Sequence, residues 1–297
     1  MHPTSRRYQG RRLPRPDEEV VDQGLGFDLG TLFNRRSLLR ALGVGTAAAG
    51  LAACGVSDAT TPQTGGSDTL AEIPDETAGP YPGDGSNGAD VLEQAGIVRG
   101  DIRSSFGNSS GTAEGVPMEL TLSIVDLAGG GGPFAGVAVY VWQCDREGRY
   151  SLYSEGVEDQ NYLRGVQLAD ADGRVTFNSI FPACYSGRWP HIHFEVYPDQ
   201  AGIADASNAI ATSQVALPED VCRTVYQQPG YEQSVSNLSQ VSLQSDNVFG
   251  DDAAASQLAT VTGDVGTGYQ VALRVGVDTT TTPSGGGAPP GGQPRSR

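Results

Sequence analysis

The segment that most constrains the fold is Met118-Glu119-Leu120-Thr121-Leu122-Ser123-Ile124-Val125, in which apolar and polar residues alternate. Successive side chains on a strand point to opposite faces, so this pattern predicts a strand with one face in a core. Four glycines at 129–132 make a flexible turn after it. Further β-type runs are predicted at 135–142, 174–177, 191–197, 209–217, 257–261 and 269–277. Asp170-Ala171-Asp172-Gly173 reads as a tight turn before one of them. One short helix is expected over 218–227, with Pro218, Glu219 and Asp220 in the first turn, where the helix dipole favours acids. With 41 glycines and 18 prolines, long helices are excluded. The expected class is all-β: a single β-sandwich domain of mostly antiparallel strands with one short helix.

The ends of the chain differ from this core. Asn34-Arg35-Arg36-Ser37-Leu38-Leu39-Arg40 places a twin arginine before an Ala/Gly-rich apolar stretch at 41–53. That stretch is shorter than the roughly 20 residues a membrane span needs. It fits the apolar part of a removed export signal of the Tat type, a route for proteins already folded. Leu51-Ala52-Ala53-Cys54-Gly55 looks like a lipobox, which would make Cys54 a lipid-anchored first residue; an ordinary cleavage site is the alternative. The expected layout is a signal at 1–54, a linker at 55–74, the sandwich at 75–278 and an unpacked tail at 279–297. The expected location is the cell envelope or beyond, with the membrane touched only through Cys54.

Charge narrows the partners. The chain has 19 basic residues, none of them Lys, against 35 acidic ones. Beyond the signal, 11 arginines face 30 acids, a net charge of −19. Such a polyanion repels nucleic acid and anionic membrane surfaces.

The chain holds three histidines: His2 in the leader, and His191 and His193 in Arg188-Trp189-Pro190-His191-Ile192-His193. Two residues apart on a strand, they share a face roughly 7 Å apart at the backbone, close enough to converge on one ion. Glu195 shares that face, but it lies about 13 Å from His191 along a straight strand and cannot complete the same site. A Zn or Fe(II) site of two histidines and a carboxylate from elsewhere stays open, as does a ligand-binding lipoprotein without catalysis. Two tyrosines, either of which alone would more often be a packing residue, lie near this segment in the chain. Tyr185 lies six residues before His191, in the loop entering its strand, and Tyr150 closes the stretch Trp142 to Tyr150.

These residues stand in an ordered series. It comprises Glu76-Thr77-Ala78-Gly79-Pro80-Tyr81-Pro82, Trp142-Gln143 eight residues before Tyr150, Leu163-Arg164-Gly165, the turn at 170–173, the block from Tyr185 to His193, and Ser213-Gln214. The series resembles the intradiol ring-cleavage dioxygenases, the catechol and protocatechuate dioxygenase group, and most of all their exported single-domain branch. The resemblance implies Tyr150, Tyr185, His191 and His193 as ligands of a non-haem Fe(III). Tyr185 and His193 would be axial, Arg188 the active-site arginine and Gln214 its polar neighbour. It further implies a catechol-type substrate opened with O2 between its hydroxylated carbons. Two phenolates and two neutral imidazoles suit a hard trivalent cation in a buried site.

Only Ser186 and Gly187 separate Tyr185 from Arg188, shorter than in the cytoplasmic enzymes, which predicts an open pocket. Of Cys144, Cys184 and Cys222, the pair Cys184–Cys222 is expected to be bridged, pinning the loop of Tyr185.

Overall fold

A computed structural model describes residues 70–283, together with a short antiparallel ladder between Arg7–Tyr8 and Arg11–Arg12. The twin arginine, the apolar stretch and Cys54 lie outside the described residues. No helix among the described residues is long and apolar enough to cross a membrane.

Two sheets face each other. The first is built around β1 (Pro117–Asp126). This strand pairs antiparallel with β5 (Arg174–Ile180) and briefly with β2 (Gly132–Pro133), and parallel with β9 (Gly268–Val277), on whose far side lies β8 (Thr260–Asp264). The second sheet has the order β4 (Arg164–Leu168), β3 (Ala138–Trp142), β6 (His191–Tyr197), β7 (Ala211–Ala216), all antiparallel. The predicted sandwich of mostly antiparallel strands is what forms. The parallel β9–β1 pair and strand β4 lie outside the expected elements; β4 is five residues, Arg164-Gly165-Val166-Gln167-Leu168, too short and too mixed for a period of two to show.

Local chemistry accounts for the elements that were legible. In β1 the buried residues Met118, Leu120, Leu122 and Ile124 are those of the alternating pattern. They pack with Val139, Val141, Phe177, Ile192, Phe194 and Val215 to form the inter-sheet core. The turn at 170–173 closes through Asp170 Oδ1, which accepts from the Asp172 and Arg174 amides. Gly173 there has φ +73°, a conformation disfavoured for any residue with a Cβ. Helix α1 (Glu219–Val225) follows Pro218 as predicted.

Two expectations need correction. Ile73, assigned to the linker, is buried in the core, and its amide donates to the Gly276 carbonyl. A second helix, α2 (Glu232–Leu238), was missed. It buries only Ser234 and Leu238, four apart, and its remaining residues are mostly polar; seven residues are too few for periodicity to show.

A second packed layer positions the site. Beyond the outer face of the second sheet, Ala78, Val91, Leu92, Ile97 and Tyr150 cluster against Tyr140, Trp142, Val166 and Tyr197. The consequence is that β6 is buried on both faces. Ile192, Phe194 and Val196 enter the sandwich core, while His191, His193, Glu195 and Tyr197 face the outer layer by strand alternation.

Candidate metal centre

His191 and His193 present their Nε2 atoms 3.1 Å apart. His191 Nδ1 lies 2.5 Å from the Trp189 carbonyl, so it carries the proton and Nε2 carries the free lone pair. His193 is held from behind by Trp142, its register partner on β3, whose ring stacks on it at 4.8 Å and 7°. Burial, and then the charge of Arg188, holds His191 well below the usual histidine range. His193 is held down by burial and by His191, Arg188 and Arg164 in turn. Both are therefore neutral imidazoles, the form that binds metal.

The two tyrosines come from loops. Tyr150 ends a turn organised by Asp145, whose Oδ1 accepts from the Glu147 and Arg149 amides and whose Oδ2 accepts from Arg149 Nε and the Tyr162 hydroxyl. Tyr185 Oη lies 3.1 Å from His191 Nε2. Its ring meets that of Tyr150 edge-on at 6.1 Å. The Tyr150 hydroxyl is buried and makes no hydrogen bond among the described residues, although it lies near enough to Tyr185 for the two phenols to repel each other's ionisation. Burial above all pushes Tyr150 well above the ordinary tyrosine range, and pushes Tyr185 up to about 12 against the pull of Arg188.

These atoms fit a metal ion. Ligand atoms each about 2.1 Å from an ion, at bond angles of about 90–110°, sit about 3.0–3.4 Å from one another. His191 Nε2 has His193 Nε2 and Tyr185 Oη at that separation and only one lone pair to share. The unpartnered hydroxyl of Tyr150 is a fourth donor without an internal use. Among the described residues no set of three or more His, Cys, Asp or Glu is placed to hold an ion. Glu195 accepts from the Tyr197 hydroxyl at 2.8 Å, and burial followed by Asp84 pushes its carboxyl up to about 8. A site of two histidines and one carboxylate therefore lacks its carboxylate.

Arg188 stands beside the cluster, its Nη1 3.4 Å from His191 Nε2. Nη2 donates to Gln214 Oε1 at 2.6 Å, and Gln214 Nε2 donates to the Thr77 carbonyl at 3.0 Å. Gln214 reaches this position as the register partner of His193 on β7. All six residues singled out in the sequence thus meet at one place.

A Dioxygenase family model matches residues 92–204, a window containing Tyr150, Tyr185, Arg188, His191 and His193. Chlorocatechol 1,2-dioxygenase of Rhodococcus opacus is 37% identical over 68 residues, 23% of this chain and 26% of that protein. Hydroxyquinol 1,2-dioxygenase of a Rhizobium strain is 36% identical over 72 residues, 24% of each chain. The chain thus matches about a quarter of the length of these curated relatives. In fold it is similar to an intradiol ring-cleavage dioxygenase of Tetranychus urticae, with a TM-score of 0.59 and 22% identity, over 73% of this chain and all of the other. In sequence over residues 92–204, and in overall fold, the chain is thus similar to intradiol ring-cleavage dioxygenases.

The loop of Tyr185 is not pinned by a disulfide, since Cys144, Cys184 and Cys222 are all free and buried. The missed helix α2 does the pinning: Ser234 Oγ accepts from the Cys184 amide at 3.0 Å, and Asn237 Nδ2 donates to the Cys184 carbonyl at 2.8 Å. Cys184 Sγ donates instead to the Arg188 carbonyl at 3.4 Å. Two further residues support the site. Arg164 is fully buried and ties the segment carrying Tyr81 and Pro82 over the site. Asp246 accepts from Arg188 Nε at 3.0 Å. Arg164 was visible in its motif but without a role, and nothing local marks Asp246.

Proposed function

We propose that this protein is an intradiol dioxygenase, a non-haem Fe(III) enzyme that opens a catechol-type ring between its two hydroxylated carbons with O2. Both oxygen atoms enter the product, a cis,cis-muconate-type diacid. The observation that carries this reading is the approach of His191 Nε2 to His193 Nε2 and Tyr185 Oη, each at 3.1 Å, beside the unpartnered Tyr150 hydroxyl. Tyr150, Tyr185, His191 and His193 would hold the ion. Held there, ferric iron would supply the Lewis-acid and redox chemistry that the reaction of a catechol with O2 needs.

The other residues manage protons and charge. Tyr185, as a phenolate ligand of the ion, would accept the proton of a catechol hydroxyl and become a neutral phenol. Arg188 carries a permanent charge beside the site and steadies the ketone-like form of the substrate as charge builds on its oxygen. Gln214 holds one edge of that guanidinium. The layer around Tyr81, Trp142 and Tyr150 excludes bulk water. The short Ser186–Gly187 connection leaves the approach open to substrates larger than catechol.

We further propose that the protein is exported by the Tat route and anchored through a lipid on Cys54, so that it meets its aromatic substrate outside the cytoplasm. The test of function is the visible absorption spectrum of the purified protein together with its iron content. One iron per chain with a red-brown tyrosinate-to-iron band that shifts on adding catechol is the expected result. A colourless protein after iron loading would remove the tyrosines as ligands and the function with them.

A further inference from the structure

Asp246 is the only carboxylate that touches Arg188 among the described residues. Its side chain is fully buried and its two oxygens accept four hydrogen bonds. Oδ2 accepts from Arg188 Nε at 3.0 Å and from the Trp189 amide at 2.6 Å. Oδ1 accepts from the amides of Val248 and Phe249 at 2.8 and 3.0 Å. One group therefore ties together the arginine, the backbone two residues before His191, and a turn 58 residues further along the chain. That turn brings Phe249 edge-on to the His191 ring at 6.4 Å and 5.9 Å from the guanidinium carbon of Arg188.

The geometry divides the guanidinium by edge. Nε is committed to Asp246, and Nη2 to Gln214 Oε1 at 2.6 Å. Nη1 is left facing His191 Nε2 at 3.4 Å, on the side of the metal ligands. Since a guanidinium is planar and rigid, fixing two of its corners fixes the third. Gln214 alone would leave it free to swing about a single contact.

We propose that Asp246 is the positioning residue of this active site: it holds the guanidinium of Arg188 so that Nη1 faces the substrate oxygen. The role rests on the function proposed above and acts wholly through Arg188. Misplacing a catalytic group by about 1 Å can cost about 100-fold in rate. For Asp246→Asn we therefore expect kcat with catechol to fall about 100-fold, with iron content, the resting absorption band and KM staying near wild type.

The decisive measurement is a double-mutant cycle with Arg188→Gln. If Asp246 acts only through the arginine, adding Asp246→Asn to Arg188→Gln costs no further kcat. Losses that multiply would overturn the proposal and make Asp246 a scaffold residue. In iron-free protein, 15N-arginine spectra give a readout that needs no activity. The Arg188 Nε–H, assigned by its absence in Arg188→Gln, should be protected from solvent exchange in wild type and lose that protection in Asp246→Asn. Protection retained in Asp246→Asn would equally overturn the role.

Asp246→Asn leaves a buried cation without its partner, so it can fail to fold. In that case Asp246→Asn/Arg188→Gln, which removes both charges, is expected to fold and to match Arg188→Gln in kcat. A double variant that also fails to fold would overturn the proposal. A wild-type protein that takes up no iron and leaves catechol intact would refute the function instead, while the arginine signal would still show whether Asp246 holds the guanidinium.

Discussion

Arg164 offers the sharpest test of how the site is kept closed. It is fully buried on β4 and gives five hydrogen bonds. Nε donates to Ser151 Oγ at 3.1 Å. Nη1 donates to the Pro82 carbonyl at 2.7 Å and the Tyr140 hydroxyl at 3.0 Å. Nη2 donates to the carbonyls of Tyr81 at 2.9 Å and Ser151 at 3.0 Å. Consider Arg164→Met, which keeps much of the length and removes every donor. The Pro82 carbonyl still receives the Tyr140 hydroxyl at 2.7 Å, and Ser151 Oγ still donates to the Tyr162 carbonyl at 2.7 Å. The Tyr81 and Ser151 carbonyls lose the arginine, at about 1–3 kcal/mol each, or about 4 kcal/mol together. At about 2–4 °C per kcal/mol for a domain of this size, Tm should drop by about 8–16 °C. Thermal unfolding of the full chain followed by circular dichroism measures this directly. A drop under about 3 °C would refute the reasoning, since it would mean that neither carbonyl depends on the arginine. The change should also reach the site, because Tyr81 packs on Tyr150 at 5.0 Å between ring centres.

Three other outcomes are expected. Tyr185→Phe should retain iron near the wild-type level, weaken the charge-transfer band, and lower kcat by about 100-fold or more, the scale of a lost general base; iron affinity falling as far as kcat would sink that role. Gly79 has φ +72°, while an added Cβ would meet His193 Cε1 at an ordinary 3.4 Å, so Gly79→Ala should cost about 1–2 kcal/mol in urea unfolding through the left-handed backbone, and an unchanged midpoint would count against that conformation. Burial, and then Asp251, pushes the Glu76 carboxyl up to about 8, with Asp252 adding, while Arg188 and a bond to Gln257 oppose. In the unfolded chain Glu titrates near about 4.3, so the folded chain holds the extra proton between those values. Stability from this group is full below about 4.3 and is lost as pH rises through about 8. Glu76→Gln should flatten that part of the stability–pH curve, and superimposable curves for the two proteins would exclude the effect.

Of the fold, what could be read from residues was what is local. The alternation in β1, the Asp170–Gly173 turn and the acids after Pro218 each act within a few residues, and each formed where expected. The pairing of β9 with β1 is different. Its partners lie about 150 residues apart, and nothing in either strand states whether they run parallel. The missed α2 shows a second limit: a seven-residue helix covering a tyrosine loop carries too little periodicity to be seen.

The same division runs through the site. His191 and His193 were legible because strand geometry alone puts alternate residues on one face. Tyr150, Tyr185, Arg188 and Gln214 were legible only through an ordered resemblance, since a lone tyrosine, arginine or glutamine in a loop or strand has many uses. Strand alternation could not say that both faces of β6 would be buried. It is the outer layer from Ala78 to Ile97 that turns a solvent face into a closed site and holds the imidazoles neutral. Likewise the expected Cys184–Cys222 bridge gave way to a hydrogen bond from the Cys184 amide to Ser234 and one from Asn237 to the Cys184 carbonyl. Sequence by itself thus determined the strand periods, the turn chemistry and the donor types available to a metal. Tertiary structure alone decided which side chains are desolvated, that Asp246 meets Arg188, and that Arg164 ties the covering segment down. The reason is physical: propensity and periodicity act over a few residues, whereas a buried charge finds its partners only after loops of tens of residues have closed.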